Sequence, residues 1–173
     1  MAAVVRAPPA APTNVETNVG STQQWVAVMK TKGGPCATRP VFLIESHFHY
    51  SVAISRAFRD LQLLDSLVIC VDCENALARL HQAGNSRPSL ILLDLDMPRM
   101  SALSFLKAIK GDEHLQMIPV IVLAGTNHVE DVAQCYNSGA AGYMVRPKDY
   151  AELHERMEAI CRYWSLNQLP VRD

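Results

Sequence analysis

Three charged residues stand where a charge is costly unless a site uses it. Asp94 follows an apolar run at residues 90–93 and leads into a loop that contains Pro98. Glu45 and Arg146 follow two further apolar runs, at residues 41–44 and 142–145. A buried-type strand that delivers a charge into a loop is typical of a ligand or reaction site. An acid that merely ends a strand in solvent is the simple alternative for Asp94 taken alone.

The elements that must position these residues follow from the apolar pattern. Short β-type runs alternate with helix-type segments from residue 41 onward, and strands are predicted at residues 41–44, 67–71, 90–93, 120–123 and 142–145. Five helices are predicted between and after them, with Asn127 capping the fourth and Asp149 the fifth. The alternation predicts a doubly wound α/β fold with a five-stranded parallel sheet of order 2-1-3-4-5. Glu45, Asp94 and Arg146 should then converge at one edge of the sheet.

The composition suits one globular domain. The chain has 173 residues, a net charge of -1 and 49% hydrophobic residues, which gives no basic field for nucleic acid. No apolar run approaches the ~20 residues that span a membrane. The five cysteines are odd in number and scattered, which favours a reducing, cytoplasmic setting. Cys70 and Cys73 form a single C-x-x-C pair, for which buried thiols are favoured over a zinc or redox site.

The chain divides into three parts. Residues 1–39 are rich in Ala, Pro and Gly, lack a periodic apolar pattern and are interpreted as a flexible N-terminal extension. Residues 40–165 form the folded domain, and residues 166–173 form a C-terminal tail. The first residues lack the features of a secretory signal, and translation could start at Met1 or Met29. No output domain follows Asp173, so a DNA-binding role within this chain is not expected.

Two segments carry a family resemblance. Residues 92–98, LLDLDMP, and residues 139–147, GAAGYMVRP, resemble the phosphoacceptor and closing segments of the receiver domain of two-component response regulators, which has a flavodoxin-like fold. The resemblance covers about residues 40–163. It implies that a partner sensor histidine kinase phosphorylates Asp94, that the Asp96 carbonyl faces Mg²⁺ and that Tyr143 occupies the aromatic switch position. It also makes Pro147 a candidate for a cis peptide bond. Residues 163–170 are similar to the tail of single-domain regulators that partner bacterial phytochromes.

Three departures from the family pattern point to a degenerate receiver. Ser46 replaces a second acid after the first strand, and a neutral hydroxyl is a poor ligand for Mg²⁺, so any Mg²⁺ binding should be weak. Ala124 stands where the family places Thr or Ser, and Thr126 could substitute only if its loop shifts. Arg146 replaces a lysine and could grip unmodified Asp94 with two parallel hydrogen bonds.

The resemblance leaves several functions open. The favoured one is an atypical single-domain response regulator of a phosphorelay, which signals by protein-protein interaction. The alternatives are a pseudo-receiver scaffold that works without phosphorylation and a small enzyme on the flavodoxin-like fold. Against an enzyme stand the missing Gly-rich phosphate loop and the missing nucleophile with a base partner. A transition-metal site can also be drawn, although loop histidines are commonly just solvated. Its ligands would be Glu45, His47, His49, Asp94 and His128.

The end of the chain suggests an interface. Tyr163, Trp164 and Leu166 concentrate apolar surface at one end of the last helix. Such a patch usually marks a contact surface, and a closed two-fold pairing is the commonest way to bury it. The sequence therefore predicts a homodimer through the fourth and fifth helices and the last strand. The alternative is that Trp164 and its neighbours fold back on their own domain.

Overall fold

The computed structural model describes residues 39–82 and 87–167. The predicted N-terminal extension and C-terminal tail lie outside these ranges except for residues 39, 166 and 167, and Cys36 lies outside as well. The predicted order of strands and helices is confirmed, with a one-turn 3-10 helix at Leu64–Ser66 added before the second strand. The elements are β1 Val41–Ile44, α1 Phe48–Asp60, β2 Leu67–Cys70, α2 Cys73–His81, β3 Leu90–Asp94, α3 Ala102–Gly111, β4 Val120–Ala124, α4 Val129–Asn137, β5 Gly142–Val145 and α5 Tyr150–Ser165.

The five strands form one parallel sheet in the predicted order, β2-β1-β3-β4-β5. Every residue of β1, β3 and β4 is buried. Central strands of this kind are covered by helices on both faces, which is why their sequences are nearly continuous runs of Val, Ile and Leu. The register pairs Ile44 with Leu93 and Asp94 with Leu123, so the carboxyl ends of the strands finish level with one another.

Alternate strand residues enter two separate cores. Phe42 and Ile91 point to one face, where they pack with Phe105 and other residues of α2, α3 and α4. Leu43 and Leu92 point to the other face, where they pack with α1 and α5. Burying a large apolar side chain contributes about 1.5 to 3 kcal/mol, so these two cores hold the sheet rigidly. None of the helices in the described part of the chain has the length and apolar content of a membrane-spanning segment.

The C-x-x-C pair consists of buried thiols, as predicted. Cys70 ends β2 and Cys73 begins α2, and both are free and at most 1% exposed. Burial raises the pKa of the Cys70 thiol, and it raises that of Cys73 to about 12. Metal binding and redox chemistry both need a thiolate, which this environment disfavours.

One of the two predicted helix caps is confirmed and the other is wrong. Asp149 caps α5 and accepts a hydrogen bond of 2.9 Å from the backbone N–H of Glu152. The residue that caps α4 is His128 rather than Asn127, and among the described residues its side chain makes no capping bond. His128 keeps an extended ψ of 129°, so the helix begins one residue later than predicted. Asn127 is therefore one position too early to act as the cap.

The residues of the predicted interface differ in their surroundings. Trp164 is partly buried and packs against the core formed by α1 and α5 of its own domain. Tyr163 and Leu166 are 61% and 77% exposed. Trp164 therefore folds back on its own domain, whereas Tyr163 and Leu166 remain exposed and available for contact with another molecule.

Candidate functional site

The edge of the sheet brings three charged side chains together, as the sequence predicts. Backbone hydrogen bonds continue past the ends of the strands: the N–H of Glu45 donates to the carbonyl of Cys70 at 3.0 Å, and the N–H of Arg146 donates to the carbonyl of Ala124 at 2.7 Å. These bonds fix the backbone from which Glu45 and Arg146 reach the site. Asp94 is itself the last residue of β3.

Arg146 bridges the two acids. Its Nη2 atom lies 2.8 Å from Oε2 of Glu45 and 2.5 Å from Oδ1 of Asp94. Both carboxylate side chains are fully buried, and the Arg146 side chain is 16% exposed. The predicted two-bond grip on Asp94 is not found, because Glu45 lies beside Asp94 and shares the same guanidinium nitrogen. Within the described chain, Nε of Arg146 has no hydrogen-bond partner.

Tyr50 holds the guanidinium from another side. The Cζ atom of Arg146 lies 4.5 Å from the centre of the Tyr50 ring, which is a cation-π contact. Burial is the main reason that the pKa of Tyr50 is raised to about 12, so the phenol stays neutral at physiological pH. Arg146 is thus restrained by two carboxylates and an aromatic face.

His47 contacts both acids, whereas the sequence placed it only as one of five candidate metal ligands. Its Nδ1 atom lies 3.0 Å from Oε1 of Glu45 and 3.2 Å from Oδ2 of Asp94, and its backbone N–H donates to Oε1 of Glu45 at 2.8 Å. His49 and His128 are exposed. Of the five ligands drawn from the sequence for a metal site, Glu45, His47 and Asp94 form the group with ligand atoms within 4.8 Å of one another in the described chain. A histidine two residues after an acid at a strand end is the signal that could have identified it.

Burial and close neighbours shift the ionisation of these groups. The pKa of Glu45 is raised, mainly because the carboxyl is buried, and the negative charge of Asp94 raises it further. The hydrogen bond from the His47 N–H and the positive charge of Arg146 lower it, but they do not cancel the effect of burial. Hydrogen bonds to Glu45 and then to Asp94 raise the pKa of His47. The two buried carboxylates thus lie against two groups that carry or can accept a positive charge, the guanidinium of Arg146 and the imidazole of His47.

The donor atoms suit Mg²⁺ poorly. Mg²⁺ requires near-octahedral oxygen ligands. Arg146 already engages one oxygen of Glu45 and one of Asp94, and that same Asp94 oxygen accepts a 2.9 Å bond from the N–H of Asp96. The Ser46 hydroxyl is exposed and lies 3.5 Å from Nδ1 of His47. The cluster of Glu45, His47 and Asp94 has the atoms to hold a divalent cation, but the carboxylate oxygens that Arg146 does not engage face an imidazole instead of a third carboxylate.

The remaining predicted site residues lie around this edge. Ala124 is buried at the end of β4 and offers no hydroxyl to the site. Thr126 is exposed, and its backbone carbonyl accepts a 2.9 Å hydrogen bond from the hydroxyl of Tyr143. Tyr143 is half-buried and packs against the core of α2, α3 and α4.

The cis peptide bond suggested for Pro147 is wrong. Throughout residues 39–82 and 87–167 no peptide bond is cis, so the bond between Arg146 and Pro147 is trans. A trans bond is favoured before proline by about 0.5 to 1 kcal/mol. The chain leaves β5 in the direction set by the bond from Arg146 to Ala124, and it keeps this default geometry.

Similar proteins share this architecture. A family model described as the response regulator receiver domain matches residues 41–158. The probable methanogenesis regulatory protein FilR2 of Methanothrix harundinacea is 32% identical over 127 residues, which cover 72% of this chain and 82% of that protein. The response regulator Rcp1 of Synechocystis is 28% identical over 128 residues, covering 72% of this chain and 87% of that protein. The crystal structure of the phosphorylated cyanobacterial phytochrome response regulator RcpA is similar with a TM-score of 0.71 and 30% identity, covering 77% of this chain and 99% of that one. The Mn²⁺-bound form of Rcp1 has a TM-score of 0.67 and 26% identity, with the same coverage of 77% and 99%.

Proposed function

The chain belongs to the response regulator receiver domain family, and from that premise we propose that Asp94 is the phosphoacceptor position of a site whose two acids already share the guanidinium of Arg146. The protein is a two-component response regulator, and its family is one of signalling proteins. Phosphorylation at Asp94 is slow compared with ordinary receivers, and signalling proceeds by protein-protein interaction. The observation that carries the proposal is the Arg146 nitrogen shared between Glu45 and Asp94.

The contacts of Asp94 oppose phosphoryl transfer. One of its carboxylate oxygens, Oδ1, is held by Arg146 and by the N–H of Asp96, and the other faces His47. An attacking oxygen must lose such a contact before it can approach a phosphorus atom. Catalysis of this transfer depends mainly on electrostatic stabilisation of the transferred oxygens. Ser46 and Ala124 weaken that stabilisation because neither provides the group found in ordinary receivers.

The partners follow from the same premise. A phosphoryl group on Asp94 would come from a sensor histidine kinase in the cytoplasm. A phytochrome-type kinase is supported by the similarity to RcpA, which is a phytochrome response regulator. The output is a downstream protein that binds the domain surface. We place the receiver unit at residues 40–165.

A second version of this function does without phosphorylation. The side chain of Tyr143 is already packed against the core, and its hydroxyl donates a hydrogen bond to the carbonyl of Thr126. Ala124 has no hydroxyl that could move toward a phosphoryl group and draw the loop with it. The domain would then act as a pseudo-receiver whose binding surface exists in the resting state.

The rate of labelling by acetyl phosphate separates these versions. The full chain is incubated with acetyl phosphate and Mg²⁺, and the phosphoryl group on Asp94 is followed by intact-protein mass spectrometry. We expect slow or absent labelling of the unaltered chain. Faster labelling is expected for Ser46→Asp with Ala124→Thr, and a further increase when Arg146→Lys is added. Arg146→Lys retains the charge but removes the planar donor group that is shared between the acids.

A matched control keeps the result specific. Asp94→Asn should abolish labelling, and Asp96→Asn tests whether the exposed neighbouring acid is modified instead. Rapid, stoichiometric labelling of the unaltered chain at ordinary Mg²⁺ levels would contradict the proposal. Slow labelling that none of the substitutions increases would favour the pseudo-receiver.

We also propose a homodimer joined through α4, β5 and α5. Four large apolar side chains on these helices or directly after α5 remain exposed. On α4 they are Val129 (83% exposed) and Tyr136 (51%), and at the end of α5 they are Tyr163 (61%) and Leu166 (77%). Light scattering on Tyr163→Ser with Leu166→Ser should show dissociation without loss of fold. Phe48→Ser is the control, because Phe48 is 74% exposed on α1. A monomeric unaltered chain at micromolar concentration would remove the dimer.

A further inference from the structure

A groove opens where the second half of α2 passes over the first residues of β1 and β2. Its volume is about 500 Å³, and polar side chains of α2 form part of its lining. The apolar part of the lining consists of Pro40, Phe42, Val68 and Ala78. We propose that this groove is the docking site for residues 25–29 of the same chain, the apolar run Trp-Val-Ala-Val-Met. This inference goes beyond the proposed function and does not depend on phosphorylation.

A small side chain on α2 leaves the groove open. Ala78 lies on the exposed side of the helix and carries only a methyl group, which is too short to cover Phe42 and Val68. Phe42 belongs to the core of α2, α3 and α4, and Val68 packs against the same core. β2 is an edge strand of the described sheet, so the groove lies at the border of the domain. Apolar surface that water can reach is stabilised by a segment that covers it.

The N-terminal part of the chain enters the folded domain at this groove. Pro40 lines the groove and directly precedes β1. Residues 30–39 connect the apolar run to Pro40, and a flexible chain of ten residues spans roughly 17 Å on average. The groove extends along α2 from Asn75 to Gln82, which is about 10 Å at a rise of 1.5 Å per residue. The run can therefore reach every part of the groove without stretching its connection.

The short connection favours this occupant over a separate molecule. Residues 25–29 are five consecutive apolar residues, and a tryptophan such as Trp25 buries about 150 to 250 Å² when it packs. A short flexible connection holds the run near the groove at an effective concentration of about 1 mM. A contact whose dissociation constant would be about 0.1 mM for a free peptide is then about nine-tenths occupied. A second copy or another protein must bind without this advantage.

Tryptophan fluorescence of the full chain tests the docking. Trp164→Phe leaves Trp25 as the only tryptophan, and the difference between the unaltered chain and Trp25→Phe gives the same emission independently. We expect Trp25 to emit at a shorter wavelength than in urea and to be quenched several-fold less by acrylamide, because about nine-tenths of the chains are docked. Ala78→Arg fills the groove and should raise the quenching to the level found in urea. Val28→Asp should do the same, because it puts a charge into the run and leaves the folded domain unchanged.

A matched control and a dilution series separate this docking from other contacts. Ala108→Arg changes an exposed alanine of α3 that does not line the groove, and it should leave Trp25 protected. The protection should also be the same at every protein concentration, because the run docks in its own chain. If Trp25 is quenched as freely in the unaltered chain as in urea, the groove serves a separate protein or a small ligand and the inference is overturned. Protection that survives Ala78→Arg would overturn it by placing the run elsewhere, and protection that grows with concentration would overturn it in favour of a second copy.

Discussion

Replacing Arg146 by methionine should destabilise the fold, and the loss should depend on pH. The substitution keeps much of the side-chain length but leaves two fully buried carboxylates without their guanidinium. At an effective dielectric of about 20, two unit charges about 4 Å apart interact by about 4 kcal/mol. Arg146 attracts both acids, which gives about 8 kcal/mol, and the cost of burying the guanidinium, which the variant avoids, offsets part of this. The expected loss near pH 8 is therefore smaller than that sum and lies in the range of about 3 to 5 kcal/mol for breaking a buried ion pair.

The sign of the pH dependence follows from Glu45. Burial already raises its pKa, and removing the positive charge of Arg146 should raise it further. A folded-state pKa above the unfolded value means that the folded variant binds the proton more tightly. The variant therefore loses stability as the pH rises through that pKa. The difference from the unaltered chain should be smaller near pH 5 than near pH 8.

Urea denaturation at the two pH values, followed by tryptophan fluorescence, measures this difference. Trp164 packs against the core of α1 and α5 and reports its unfolding. Asp94→Asn supplies the matched background: Arg146→Met should cost less in it, because one of the two buried charges is already gone. An equal cost in both backgrounds, or no loss of stability at pH 8, would refute the electrostatic reasoning.

Three further outcomes are expected from local features of the fold. Asp149→Ala should lower the free energy of unfolding by about 1 kcal/mol in urea denaturation, because it removes the bond that caps α5. Gly139→Ala should cost about 1 to 3 kcal/mol in the same assay, because Gly139 has a φ of +91° and a Cβ there would lie 2.8 Å from Cγ of Lys110. The bond of 3.0 Å between His81 and Asp112 raises the pKa of His81 and lowers that of Asp112. Its stabilisation should fade as the pH rises through the pKa of His81 or falls through that of Asp112, and denaturation of His81→Gln across pH should show this dependence lost.

Each of these outcomes has a control in the same chain. Asn127→Ala should leave stability nearly unchanged, because Asn127 precedes the residue that caps α4. Gly125→Ala should also be tolerated, because a Cβ there would meet nothing within 4 Å. A loss in Asn127→Ala equal to that in Asp149→Ala would contradict the account of the caps. Identical pH profiles for His81→Gln and the unaltered chain would show that this ion pair contributes nothing.

The central strands could be predicted from the sequence because strands that are buried on both faces consist almost entirely of apolar residues. Both faces of β1, β3 and β4 are covered, so each reads as an unbroken apolar run whose end could be placed within a residue. Parallel strands present their carboxyl ends at one edge, and that topology alone brought Glu45, Asp94 and Arg146 together.

The finer geometry of the site was not predictable, because it depends on competition between neighbours. Arg146 can bind one acid with two nitrogens or two acids with one, and the position of Glu45 beside Asp94 decides the outcome. His47 lies in a short loop, where sequence gives no direction for a side chain. The start of α4 moved by one residue because His128 keeps an extended backbone, a choice that the residue types at positions 127 and 128 leave open.

The most direct test of the central claim is nuclear magnetic resonance of the guanidinium group of Arg146, without and with Mg²⁺ and acetyl phosphate. A guanidinium nitrogen shared between two buried carboxylates rotates slowly and exchanges its protons slowly. We expect resolved, persistent Nη signals in the resting chain, little change when Mg²⁺ and acetyl phosphate are added, and averaged signals in Asp94→Asn. Averaged Nη signals in the unaltered chain, or their loss on adding Mg²⁺ and acetyl phosphate, would show that Arg146 does not hold the site and would contradict the account.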